Sequence, residues 1–403
     1  MLFDPARHEA LGETTWDEAR AREAIRAIVR DVERQRSAGG LWPVHPLDDE
    51  GDMPRTGFKG LYLGAAGVLW AVWYLQRAGA VQTGFDPVEG IRHAWSTYLD
   101  DPDTGQVVPS YFLGEAGILL VLWRLTGSAE AADRLYAAIE SNIGNPALEP
   151  LWAAPGTMVA AWHLWQATSD PRWRGLYLAN VEHLWRTWHY DEQARCYLWT
   201  QDLYDRVVQY LGAAHGFAGN SYALLKGAGL LDADRRKTLY ERCVQTLRAT
   251  VRFEDDAANW PPGTFAPRQD GPVLLMQWCH GSPGIVTAMR DFPPRRSADM
   301  EAMLVAAGEA VWRAGPLAKG AGLCHGTAGN GHALLELHRR TGDATWLRRA
   351  RAFAMHAVTQ RERLCARYGH GRFTLWTGDP GLAVYLWQCI AGNAALPALD
   401  VID

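Results

Sequence analysis

The sequence predicts an all-α protein, a closed α/α toroid of seven helical hairpins with seven inner and seven outer helices. Three observations predict it: a short glycine frame recurs along the chain, an apolar segment follows every copy, and a charged amphipathic segment separates one copy from the next. Strand signals are weak throughout. Such repetition outranks any local assignment, because stacked helical hairpins bury a continuous core only against their neighbours.

The frame is Gly-x-x-Gly. It opens LYLGAAGVLWAVWYL at 61–75, YFLGEAGILLVLWRL at 111–125 and LWAAPGTMVAAWHLW at 151–165, where Ala153 replaces the first glycine. It returns in AAHGFAGNSYALL at 213–225, MQWCHGSPGIVTAM at 276–289, GAGLCHGTAGNGHALLEL at 320–337 and LWTGDPGLAVYLW at 375–387. The first glycine positions are 64, 114, 153, 216, 281, 326 and 378, a mean spacing of about 52 residues. Glycines here supply backbone freedom and close approach in a turn. The roughly ten to fourteen residues after each frame are apolar on nearly every side, the pattern of a buried helix.

The intervening stretches, from WDEARAREAIRAIVRDVERQ to DATWLRRARAFAMHAVTQ, carry one apolar stripe each and read as surface helices. Asp or Ser stands ahead of several, in a capping role. Closing the hairpins into a ring brings all seven glycine turns to one mouth. The whole chain, 1–403, is expected to form one such domain.

Composition narrows the function. A net charge of −5 over 403 residues argues against nucleic acid as partner. No apolar run reaches eighteen residues, so no membrane span is expected, and the first twenty residues lack a signal-peptide core. Six cysteines are too sparse for a disulfide framework and suit a reducing cytoplasm. Nineteen tryptophans imply an aromatic core and, at that number, some lining a cavity.

Two of the six cysteines share one position. Cys279 and Cys324 both stand two residues before a first glycine, and His215, His280 and His325 each stand one before. Two thiolates with imidazole form a zinc-type donor set. Cys279, Cys324 and His325 with a fourth position open is the preferred set, since three protein ligands and a vacancy mark catalytic zinc. Cys279 paired with His280 is the competing geometry; adjacent residues reach one ion only across a sharp turn. His280 and His215 are otherwise left for supporting or acid–base work. Lys319, and Arg55 with Lys59 ahead of the first copy, offer positive charge to an anionic substrate.

On HGFAGN, WCHGSPG and GLCHGTAGN, with glycine copies over nearly its whole length, the chain resembles the lanthionine synthetase C-like family. PLAKGAGLCHGTAGNG looks more like that family's stand-alone proteins than its antibiotic cyclases. The resemblance implies a seven-hairpin toroid with one zinc per chain on Cys279, Cys324 and His325. It implies His215 as the acid–base group and Trp278 as the aromatic of the WC motif. The implied reaction adds a thiol, from a peptide cysteine or glutathione, to dehydroalanine or dehydrobutyrine in a peptide or protein, giving a thioether. Two departures stand out: VLLMQWC has no arginine shortly before Trp278, and Glu149 occupies the place where the cyclases carry aspartate. The competing readings are a carbohydrate-active α/α barrel, which needs two facing carboxylates, and a non-catalytic zinc- or glutathione-binding scaffold.

Overall fold

The computed structural model describes residues 1–12, 15–49, 57–264 and 274–403. Among them fourteen α-helices follow one another: α1 (Glu18–Gln35), α2 (Ala65–Arg77), α3 (Pro87–Asp100), α4 (Glu115–Thr126), α5 (Ala129–Ser141), α6 (Ala154–Thr168) and α7 (Pro171–Arg186), then α8 (Phe217–Lys226), α9 (Ala233–Thr250), α10 (Ser282–Ala288), α11 (Ala298–Ala314), α12 (Thr327–Thr341), α13 (Ala344–Tyr368) and α14 (Asp379–Ala391). Each even-numbered helix packs on the next, and α14 packs on α2, so the inner ring is closed. The odd-numbered helices lie outside it. No helix among the described residues is long and apolar enough to cross a membrane.

The two rings start their helices differently. Every outer helix begins on Asp17, Asp86, Ser128, Asp170, Asp232, Ser297 or Asp343, whose side chain accepts a first-turn N–H. Every inner helix begins on a glycine or on Ala153 and has no side-chain cap. In five of the seven the first N–H instead meets a carbonyl of the preceding loop: Ala65 to Phe58, Glu115 to Val108, Phe217 to Tyr210, Thr327 to Gly320 and Asp379 to Arg372; in α10 the Ser282 N–H donates to Asn259 Oδ1. That curl explains the second glycine. A Cβ there would sit 1.7–2.3 Å from the carbonyl oxygen six residues back, in all seven copies. Only Gly281 among the first glycines has a left-handed φ, +104°; close approach is the general requirement. Helix α10 is shorter than its sequence pattern suggests, ending at Ala288 a few residues before Pro293 and Pro294.

The loops are stitched to one another around the mouth. The residue two before each first glycine makes the main seam: Ala214 N–H donates to Cys279 O, Cys279 to Cys324 O, Cys324 to Trp376 O, Trp376 to Tyr62 O, and Tyr62 to Phe112 O. Side chains complete the circuit, with Ser110 Oγ donating to Leu151 O and Asn220 Nδ2 to Leu148 O. Asn330, in the same place in its copy as Asn220, donates Nδ2 to Met276 O at 2.9 Å. In these two copies the asparagine after the second glycine therefore fastens its helix to the loop of the copy before.

Three small hairpins depart from the all-helical expectation: β1 (His189–Asp191) with β2 (Cys196–Leu198), β3 (Gln201–Leu203) with β4 (Arg206–Val208), and β5 (Arg252–Glu254) with β6 (Ala257–Asn259). Three-residue strands give no alternation to read, and the β3–β4 turn puts Tyr204 and Asp205 at positive φ without a glycine to announce it. Residues 394–403 fold into the middle of the ring, where Trp70, Tyr111 and His163 hydrogen-bond to the carbonyls of Ile402, Ala398 and Leu399.

Candidate metal centre and cleft

The stitching places the first pair of candidate ligands side by side, because the Cys279 N–H bonds to the Cys324 carbonyl at 3.1 Å. His325 follows directly. The two Sγ atoms and a His325 ring nitrogen lie within 4.8 Å of one another, both cysteines buried and the histidine partly exposed. It is the one such cluster of three metal-binding side chains found among the described residues.

The two thiols cannot both be ordinary. Cys279 is held well below the usual thiol range, first by the hydrogen bond from Cys324 and then, against the cost of burial, by His325. Burial and that first thiolate push Cys324 well above it. One negative charge is thus easy and the second is hard, the condition a soft divalent cation relieves. The donor set fits a metal ion of that kind.

His280 does not join the cluster. Residues 277–280 form a tight turn, with Gln277 and His280 exchanging N–H···O bonds at 3.1 Å, and the His280 ring stacks on that of His215 at 5.3 Å. Burial and the nearby His215 lower His280 to about 4. His215 moves the other way. Burial alone would lower it, but its Nδ1 faces Glu149 Oε2 at 3.0 Å, and the bond and charge of that carboxylate raise it. Glu149 is fully buried and anchored by the N–H groups of Leu151 and Trp152 at 3.1 and 2.7 Å. Glu149, His215 and His280 thus form a chain reaching the residue next to Cys279.

Trp278 is buried, its ring 4.5 Å from that of Trp376 and directed into the ring of helices. A cleft of about 560 Å³ opens at the glycine end, lined by Tyr62, Phe112, Trp152, Lys319, His325 and Arg372 among others. Lys319 is exposed there. Lys59 is buried, its ammonium 2.6 Å from Asp101 and 3.6 Å from Asp103, so its charge is met within the protein. Arg55 lies outside the described residues.

Two contributors have no place in the sequence expectation. Tyr62 places its hydroxyl against the Cys324 sulfur, and Gln277 donates Nε2 to Cys279 Sγ at 2.9 Å. Tyr62 carries a signal: it stands two before its first glycine, as both cysteines do.

The sequence model for "Lanthionine synthetase C-like protein" matches residues 58–401. The chain belongs to that family. It is 32% identical over 217 residues to "Glutathione S-transferase LANCL1" of Danio rerio, covering 52% of this chain and 49% of that protein. It is 35% identical over 158 residues to "LanC-like protein GCL1" of Arabidopsis thaliana, 37% of this chain and 33% of that one. These matched stretches span about half or less of the relatives' length. Among solved structures, "Nisin cyclase" superposes with a TM-score of 0.62 at 14% identity, covering 92% of this chain and 94% of that one. At that identity the likeness shows the α/α toroid and nothing finer.

Proposed function

We propose that this lanthionine synthetase C-like chain holds one zinc ion on Cys279, Cys324 and His325 and adds a thiol to dehydroalanine or dehydrobutyrine residues of a peptide or protein. The observation that carries this reading is the Cys–Cys–His cluster within 4.8 Å, whose histidine lines a cleft large enough for a peptide segment. The family membership supports it, and the name of the Danio rerio relative, a glutathione S-transferase, favours glutathione as the donor to test first.

A free thiol, with a pKa of about 8.5, is largely protonated at neutral pH. Zinc bound at this cluster would supply the missing acidity, deprotonating a thiol delivered to its fourth position. The remaining work falls to the chain. His215 is oriented by Glu149 through Nδ1, leaving Nε2 as the working nitrogen. Its raised pKa keeps a proton on the ring at the moment it is needed. As sulfur bonds to the β-carbon, the π pair moves to the α-carbon and its carbonyl. His215 then delivers a proton to the α-carbon and recovers one from solvent or the next thiol, so that one S–H adds across one C=C. Lys319, in the cleft beside His325, suits a carboxylate on either partner. The carbohydrate reading finds little support: the cleft carboxylates Asp48 and Asp103 are occupied, one by Arg372 and Thr377, the other by Lys59 and the Gly60 N–H.

The test is mass spectrometry of a dehydroalanine peptide incubated with glutathione and the zinc-loaded chain, with and without a chelator. A thioether adduct that forms only with metal present is expected. Adduct formation at the same rate after complete metal removal would overturn the proposal.

A further inference from the structure

A metal site that adds sulfur to an electrophile has a selectivity problem when two of its own ligands are sulfur. Three thiolates would surround one ion, and only the visitor must react. The structure treats the two residents alike. Gln277, 6% exposed, donates its side-chain amide to Cys279 Sγ at 2.9 Å. The Tyr62 side chain lies against Cys324, with its hydroxyl on the side of that sulfur. A ligand thiolate carries no proton and can only accept, so the amide NH₂ must face it.

Both donors are fixed from the backbone. The Gln277–His280 turn holds the first, and Asn330 pins the carbonyl of Met276 next to it. Tyr62 is held by its own N–H on Phe112 O and by Trp376, which donates to its carbonyl and stacks on its ring at 6.3 Å. Gln277 Oε1, in turn, is buried with no partner among the described residues. An orphaned acceptor is a cost accepted only if the other end of the amide is needed.

We propose that Gln277 and Tyr62 are positioning residues that hold the Cys279 and Cys324 sulfurs unreactive, so that the incoming thiol alone attacks the acceptor. A hydrogen bond to a thiolate draws off the lone-pair density that nucleophilic attack requires, and partners of metal ligands tune the metal in the same way. This inference rests on the zinc reading above.

The test uses the full chain loaded with zinc or cobalt, in the parent, Gln277→Met and Tyr62→Phe. Met keeps the volume and the apolar reach of Gln277 without a donor; Phe removes the Tyr62 hydroxyl alone. Iodoacetamide alkylation of each cysteine is followed by mass spectrometry on the zinc form. The sulfur-to-metal charge-transfer band is read on the cobalt form. Gln277→Met should speed alkylation of Cys279 about tenfold and leave Cys324 within about twofold. Tyr62→Phe should do the reverse, and in both variants the band should move to lower energy. Both cysteines quickening together, or neither rate moving, would overturn the inference. A parent chain that takes up no metal would overturn the zinc reading first, a separable result.

Discussion

Glu149 has no solvent exposure, and each hydrogen bond of its carboxylate is to Leu151 N–H, Trp152 N–H or His215 Nδ1. An amide in its place would turn one end of its side chain into a donor facing donors. Glu149→Gln should therefore lower the pKa of His215 by removing the charge that raises it. The alkaline limb of the rate profile should move to lower pH, read by initial rates of adduct formation. His215→Ala should keep its metal, measured by elemental analysis, while addition slows by about 10²-fold or more; an unchanged rate would remove His215 from the chemistry. The cysteine and histidine positions are legible in the sequence because the repeat places them in one register. Gln277 is not, since a lone glutamine beside a tryptophan has no pattern to betray it. The pairing of Lys59 is equally hidden, because Asp101 and Asp103 belong to the next hairpin.

At the scale of the element, the frame encodes a helix start that folds its own loop over its first turn. The seven copies and the polar caps of the outer helices are readable from the sequence, and all seven outer helices do begin on Asp or Ser. The hairpins β1–β2, β3–β4 and β5–β6 are not, being too short for periodicity to act. Gly329 offers the sharpest test of the helix start. Its added Cβ would lie 1.7 Å from Leu323 O, in the loop that presents Cys324. Gly329→Ala should cost at least about 1–3 kcal/mol of stability by overpacking, and more if the backbone cannot yield. Metal affinity should fall with it, because the displaced loop carries two of the proposed ligands, Cys324 and His325. Thermal melts and competition with a chromophoric chelator would record both. A variant with full stability and unweakened metal binding would contradict the close approach.

For the whole molecule, buried neutral histidines set the acid limit. Burial lowers His45 and His163 to about 4 and His332 to about 3. In the unfolded chain each would have its ordinary value of 6.5. Below that pH the unfolded state binds more protons than the folded one, so stability rises with pH across this range and is lost as pH falls from 6.5 toward 4. Two of these rings, His163 and His332, together give a slope on the order of 3 kcal/mol per pH unit at its steepest. Denaturant titrations at stepped pH would measure it, and a flat profile between pH 6.5 and 4 would show these rings to be hydrated or charged.

The seam of backbone bonds through positions 62, 112, 214, 279, 324 and 376 bears on what the proposed zinc would and would not do for folding. In a zinc finger the cation does the assembling, and chelation dissolves the domain. Here the two sulfur-bearing loops are already knotted by peptide groups that ask nothing of the cation. Chelation should leave far-ultraviolet dichroism unaltered and depress the melting temperature only by the mass-action amount that a lost ligand dictates. Refilling should then be as quick as diffusion and dehydration permit, with no refolding step to wait for. On the zinc proposal the toroid is a socket whose wiring does not run through the lamp.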